Sequence, residues 1–314
     1  MSPRVPVRSL TVAAVLALLA WPLHAQPPAP APQARFADVV VRAVPIAPGI
    51  TMLLGAGGNI GVCTGEDGVI LIDDQFAELS ERIKAKVDSI SGGKPIRFVI
   101  NTHWHGDHVG GNEKLAQAGA VILAQDNVRR RMSAMQFMSA VDTVPPSPPK
   151  ALPIVTFTDS VTLHVNGYEM RVFHVRNAHT DGDAMIYFPE ADALHMGDCL
   201  FNGRYPLIDV LNGGTLDGMI AADDVALRLV KESTKIIPGH GPLADKAVLQ
   251  GYRDMLAKVR DRLKPLVRQG KTADQIIALH PLADIDSTWG KGNIKPDRFI
   301  RIVVDDLSRQ RARR

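Results

Sequence analysis

The chain has 314 residues, 46% of them hydrophobic and 22% charged, with a formal net charge of +3. That length suffices for a full core, and the near-balanced charge excludes a polyanion such as nucleic acid as partner. Two cysteines, Cys63 and Cys199, exclude a disulfide framework.

Residues 1–25 read as a signal peptide: Arg4 and Arg8 precede an apolar run from Leu10 to Ala20, and Leu23-His24-Ala25 ends on a small residue. The run is shorter than the roughly 20 apolar residues of a spanning helix. The mature chain is therefore expected to be periplasmic or secreted, with an uncleaved signal anchor as the lesser alternative. Losing the two arginines lowers the formal charge to +1. Residues 26–34, containing "QPPAPAPQ", form a Pro/Ala-rich linker. A main domain over 35–262 and a helical extension over 263–314 follow.

Short β-rich runs predict strands over 39–44, 50–54, 59–64 and 68–72, a helix over 78–89 and a buried-type strand over 96–100. Next come a helix over 112–118 and a strand over 121–124, and "PPSPP", Pro145 to Pro149, marks a surface loop. The second half repeats the plan, with strands over 161–165, 168–174, 184–188 and 193–196, a helix over 218–231 and a strand over 235–237. Helices over 272–279 and 296–308 follow, and the basic end Arg309 to Arg314 is expected to be frayed. Two halves of strands then helices imply an α/β chain with two sheets face to face and helices outside.

The strand over 96–100 opens into "NTHWHGDHVGGN". In an extended loop His103 and His105 point the same way and reach one metal ion, while Asp107 and His108 turn towards a position beside it. Imidazole and carboxylate are suitable zinc ligands, and a catalytic zinc takes three from protein. The stretch supplies ligands for two sites and completes neither. Three later loops, each just past a short strand, offer the rest: "NAHTDGD" offers His179, "HMGDCLF" offers Asp198 or Cys199, and "IIPGHGP" offers His240.

These motifs, in order and spacing from about Phe36 to Leu263, resemble the metallo-β-lactamase superfamily. The resemblance implies an αββα four-layer sandwich of two mixed sheets with outer helices, and an enzyme carrying two zinc ions, with iron or manganese as alternatives. By position His103, His105 and His179 would hold one metal, Asp107, His108 and His240 the other, and Asp198 would bridge them, with Cys199 as alternative ligand. Cysteine-using lactamases of the family read Gly-Gly-Cys-Leu where this chain has Gly197-Asp198-Cys199-Leu200, and generally lack a histidine at the position of His108. They also commonly place lysine where this chain has Asn202.

The implied chemistry is attack of a metal-activated water on an activated or strained acyl bond, Asp107 orienting the nucleophile. The expected partner is a small molecule, β-lactam amides first, with a lactonase or glyoxalase-II-like thioesterase as runner-up. A di-iron redox protein and a non-catalytic zinc module are the readings outside hydrolysis. No oligomeric state follows from the residues. Arg204 borders the cleft as a candidate for a substrate carboxylate, and Asn212 is a candidate oxyanion donor. Asp73 and His195 are read as supports of the metal loops or as ordinary turn and core residues. His164 and His174 are read as structural, and Thr180, Asp181 and Asp183 as turn formers.

Overall fold

Period-two burial decides the layers. In the strand Gly68–Ile72, Val69 and Leu71 join a core with Leu79, Ile83 and Val87 of the helical face that follows. Ile70 and Ile72 turn the other way and meet Met170, Val172, Ala184 and Ile186. A strand apolar on both faces has to be covered on both.

The protein was analysed as a computed structural model that describes residues 35–139 and 141–312. The expected signal peptide, the whole linker and the last two arginines lie outside the described residues. Six strands open the fold: β1 (Arg42–Ala47), β2 (Ile50–Leu54), β3 (Ile60–Gly65), β4 (Gly68–Ile72), β5 (Ile96–Asn101) and β6 (Val121–Gln125). A small hairpin, β7 (Gln136–Phe137) and β8 (Thr143–Val144), precedes β9 (Val155–Phe157). The first sheet runs β1-β2-β3-β4-β5-β6-β9, antiparallel to β4 and parallel from there. The second holds β10 (Ser160–Val165), β11 (Tyr168–His174), β12 (Ala184–Phe188), β13 (Ala193–His195) and β14 (Lys235–Ile237) in chain order.

Both sheets are mixed, and helices cover the outer faces. Helix Ser80–Ser91 packs on the first, while Leu216–Leu229, Lys246–Arg268 and Pro296–Ala312 pack on the second. This is the four-layer α/β sandwich expected from the sequence.

The strand directions gather the metal loops. β11 and β12 are antiparallel, β12 and β13 antiparallel, and β13 and β14 parallel, so β11, β13 and β14 end at one rim. The two sheets join there: Ala184 N donates to Thr102 O at 2.8 Å, and Asn59 N donates to Gly239 O at 2.7 Å.

Several elements differ from expectation. The first strand starts at Arg42, because its register on β2 pairs Arg42 with Leu54 and shifts between Pro45 and Ala47. The short β9 belongs to the first sheet, so the second half begins only at β10. Helix Lys246–Arg268 runs unbroken across Arg262–Leu263, because Leu249, Tyr252, Leu256, Val259, Leu263 and Val267 form one buried stripe. The extension therefore shares a core with the main domain. The basic end is helical as far as Ala312, with Arg309 on Asp305 at 2.9 Å. No described helix is long and apolar enough to cross a membrane.

Cys63 lies between the sheets and Cys199 on the helix side of the second sheet, and both are free and buried. The native protein is expected to react with no thiol reagent, and the denatured protein with two equivalents. Phe188→Ala, at a site 1% exposed between the sheets, is expected to destabilise by about 3–5 kcal/mol in chemical denaturation.

Candidate metal centre

The turn after β4 organises the site. Asp73 takes a left-handed φ of 64°, a conformation that costs a non-glycine residue on the order of 1–3 kcal/mol. The position is held by what its buried carboxylate accepts: Thr102 N at 2.7 Å, Thr102 Oγ1 at 2.8 Å and His108 Nδ1 at 2.7 Å. Asp74 and Gln75 continue the work, with Asp74 accepting from Gly111 N and Gln75 Nε2 donating to Gly58 O. Burial, the nearby Asp73 adding to it, pushes the Asp74 carboxyl well above the usual carboxylate range.

Seven side chains converge. One atom each from His103, His105, His179 and Asp198 lie within 4.8 Å of one another, and Asp107, His108 and His240 form a second such group. Each of four histidines has its outer ring nitrogen engaged. His103 Nδ1 meets Thr102 Oγ1 at 3.0 Å, His105 Nε2 meets Asp209 Oδ2 at 2.9 Å, His108 Nδ1 meets Asp73, and His179 Nδ1 meets Leu207 O at 2.8 Å. An imidazole that donates outward presents a lone pair inward.

Asp198 stands between the groups. Its Oδ1 lies 3.1 Å from His108 Nε2, and its Oδ2 lies 3.3, 3.5 and 3.8 Å from Nε2 of His240, His179 and His103. Asp107 Oδ2 is 3.4 Å from His240 Nε2 and 3.8 Å from His108 Nε2. Two close approaches make this possible, since a Cβ on Gly58 would meet His108 Cε1 at 2.0 Å and one on Gly239 would meet Asp198 Oδ1 at 2.0 Å.

Burial opposes every charge here, and the neighbours decide the outcome. Burial holds the His103 imidazole well below its ordinary range and lowers His179 to about 4. Burial also disfavours a charged His108, yet Asp198, Asp107 and Asp73 outweigh it and raise its pKa. For Asp198, burial is overcome by His240, His108 and His103, so its carboxyl lies well below the carboxylate range. His103 Nε2 and Asp198 Oδ1 are buried with no hydrogen-bond partner among the described residues. Converging lone pairs and an orphaned carboxylate oxygen are what a divalent cation satisfies, so the donor set fits one.

The remaining sequence candidates separate. Cys199 faces the helix-side core with Met196 and Leu200, and belongs to neither ligand group. Arg204 lines the cavity over the ligands. Asn212, expected as an oxyanion donor, is turned away: its Nδ2 donates to both Asp209 oxygens at 2.8 Å and to Phe137 O at 3.1 Å. It steadies the carboxylate behind His105, and Arg131 Nη1 holds its Oδ1 at 3.0 Å. Asn202 donates to Pro242 O at 2.9 Å and braces the His240 loop. His195 accepts from Gly197 N at 3.1 Å and bonds Asn59 O at 3.2 Å, fixing the turn that carries Asp198. His174 meets Asp183 O at 2.7 Å, and His164 is exposed. Thr180 N and Oγ1 donate to Asp183, closing the turn after His179, and burial raises the Asp183 carboxyl to about 7.

Sequence reasoning missed Asp209. It lies 104 positions from His105 in a loop with no metal-ligand pattern, so no local signal marks it.

Two measurements follow. Asp198→Ala is expected to lose bound metal by elemental analysis, while Cys199→Ala keeps it. Asp209→Ala is expected to weaken metal affinity about 10- to 100-fold in competition with a chromophoric chelator, with Asn212→Ala moving it the same way by less.

The family model of the Metallo-beta-lactamase superfamily matches residues 54–240. A Beta-lactamase-like protein 2 homolog of Caenorhabditis elegans is 24% identical over 269 residues, 82% of this chain and 80% of that one. A Hydroxyacylglutathione hydrolase of Nitrosococcus oceani is 30% identical over 151 residues, 47% of this chain and 49% of its own length. Among solved structures, a Metallo-beta-lactamase from Pontibacter korlensis superposes with a TM-score of 0.58 at 18% identity, over 69% of this chain and 99% of that one. With the family's motif region spanned and a histidine–aspartate cluster at its rim, this chain belongs to the metallo-beta-lactamase superfamily and is a metal-dependent hydrolase.

Proposed function

We propose that the protein is an exported binuclear zinc hydrolase that opens an activated or strained acyl bond. A β-lactam amide is the leading substrate, and a lactone or thioester is second. The observation that carries the binuclear reading is Asp198, whose carboxylate reaches both ligand groups: Oδ2 lies 3.5 Å from His179 of one and 3.3 Å from His240 of the other, and Oδ1 3.1 Å from His108. Six nitrogen and oxygen donors in two sets of three, with one carboxylate between them, would hold two zinc ions. Zinc bound there supplies Lewis acidity and a water whose pKa falls towards neutrality.

The chain's own residues do the rest. Asp107 lines the cavity with a side chain 26% exposed, so its Oδ2 orients the attacking water and accepts its proton. Trp104 and Phe201, both buried beside the ligands, keep bulk water from the inner face. Arg204, which lines the same cavity, holds an anionic part of the substrate. Export is inferred from the first 25 residues, and it brings the enzyme to the compartment where β-lactams act.

The second reading draws support from Asp198 filling the place between the groups while Cys199 is buried elsewhere, and from the relative named as a hydroxyacylglutathione hydrolase.

Nitrocefin, a homoserine lactone and a glutathione thioester, each assayed with and without chelator, decide between these. Chelator is expected to abolish turnover and zinc to restore it. Asp107→Asn is expected to lower kcat about 100- to 10,000-fold. No chelator-sensitive turnover of nitrocefin would remove β-lactams, and none on any of the three would remove acyl hydrolysis.

A further inference from the structure

Helix Asp126–Met132 carries three arginines in its last turn, where the helix dipole favours cations. Two of them stay local: Arg129 donates to Pro153 O and Arg130 to Asn127 Oδ1. Arg131 crosses to the metal loops. Its Nη2 and Nε donate to the two carboxylate oxygens of Asp181 at 2.6 and 3.2 Å, and its Nη1 donates to Asn212 Oδ1 and Gln136 Oε1, both at 3.0 Å. The Arg131 carbonyl in turn accepts from Gln136 Nε2 at 2.9 Å, at the base of the β7–β8 hairpin.

Asp181 and Asn212 stand behind two different metal ligands. Asp181 follows His179 by two positions, and its backbone N donates to Asn212 O at 3.0 Å. Asn212 donates to Asp209, whose Oδ2 holds His105 Nε2 at 2.9 Å, and Asp209 N donates to His179 O at 2.9 Å. The loop that braces His105 and the loop that carries His179 are thus laced together, and one guanidinium ties the lacing from outside. A planar fork suits that task, since it fills a carboxylate with two donors and keeps a third nitrogen for two amide oxygens. The second ligand group has a brace of its own in Asp73 on His108, and no bond of Arg131 among the described residues reaches it.

Charge and geometry pull in opposite directions here. A cation fixed near a site for dications opposes metal uptake through its field, so removing an arginine that acted by charge alone would tighten zinc binding. Removing one that holds two ligands in place weakens it.

We infer that Arg131 is the positioning residue of the first ligand group: its guanidinium fixes His105 through Asn212 and Asp209, and His179 through Asp181. Both histidines then present their inner nitrogens to one ion. The inference rests on the binuclear reading above and adds to it a residue that touches neither metal nor substrate.

The test titrates the metal-free full-length protein with zinc against a chromophoric chelator. Wild type is expected to take two equivalents. Arg131→Ala is expected to weaken one of them about tenfold, the lower end of the range for a bond behind a ligand, and to leave the other unchanged. Arg131→Lys keeps the charge and the stem should the truncation not fold. It is expected to weaken the same equivalent, because an ammonium cannot serve Asp181 and Asn212 together. Arg129→Ala, which removes a bond from the same helix, is expected to leave both equivalents in place. The double variant Arg131→Ala/Asn212→Ala is expected to lose less than the product of the two single losses, since both break one chain of bonds. Unchanged or tighter binding in Arg131→Ala and Arg131→Lys overturns the inference and leaves the binuclear reading standing. An equal loss in Arg129→Ala, or a double variant that loses the full product, does the same. A wild type that takes one equivalent, weakened in Arg131→Lys, removes the binuclear reading and keeps the inference. One equivalent indifferent to Arg131, or no zinc uptake at all, removes both.

Discussion

The structure turns on inward-facing lone pairs held together against their own repulsion. His179 Nε2 and His105 Nδ1 lie 2.8 Å apart, and His108 Nε2 and His240 Nε2 lie 3.5 Å apart. The outer nitrogens of His105, His179 and His108 are tied to Asp209, Leu207 O and Asp73, and that of neighbouring His103 to Thr102. Asp73, Thr102 and Asp209 are buried in loops at the rim, so the packing of those loops is what the site uses to stay assembled. A cation entering the cluster would turn that repulsion into attraction.

The strain and the close contacts fall where this demand is greatest. Asp73 adopts a backbone conformation suited to glycine, and from it one carboxylate reaches Thr102 and His108 together. Gly58 and Gly239 give up a side chain so that His108 and Asp198 can approach the backbone. The same logic extends outward from His105 through Asp209 and Asn212 to Arg131, and Asn212 also reaches the carbonyl of Phe137. The β7–β8 hairpin is thereby hydrogen-bonded to a metal ligand's support. Hairpin and metal cluster are parts of one hydrogen-bonded unit.

The C-terminal residues act beyond packing. Their helices bury Phe299, Ile300, Val303 and Leu307 against the second sheet's cover, and the same helix carries Arg298 to the metal cavity. Asp306, buried on this helix, accepts from Leu216 N at 2.9 Å and so caps the neighbouring helix Leu216–Leu229. The segment that completes the core thus also forms the wall of the cavity.

Much of this was legible in the sequence. Short continuous apolar runs mark strands that are buried on both faces, and two sets of them require two sheets with helices outside. The loops that follow those strands name all seven converging residues, because ligands placed just past short strands must meet wherever the strands end together. Tertiary structure alone decided three things. Asp198 faces the cluster and Cys199 does not, since adjacent residues on a tight turn point apart and only packing says which points where. Asn212 serves Asp209 and not the cavity, and Asp209 itself, 104 positions from its histidine, carries no local pattern. The helix Lys246–Arg268 carries one buried stripe across Leu263, where the sequence reading began the C-terminal extension. Periodicity, turn chemistry and ligand type are properties of neighbouring residues, and the sequence determined those. Which distant carboxylate braces a histidine, and which arginine reaches two ligand loops, depends on how the layers pack.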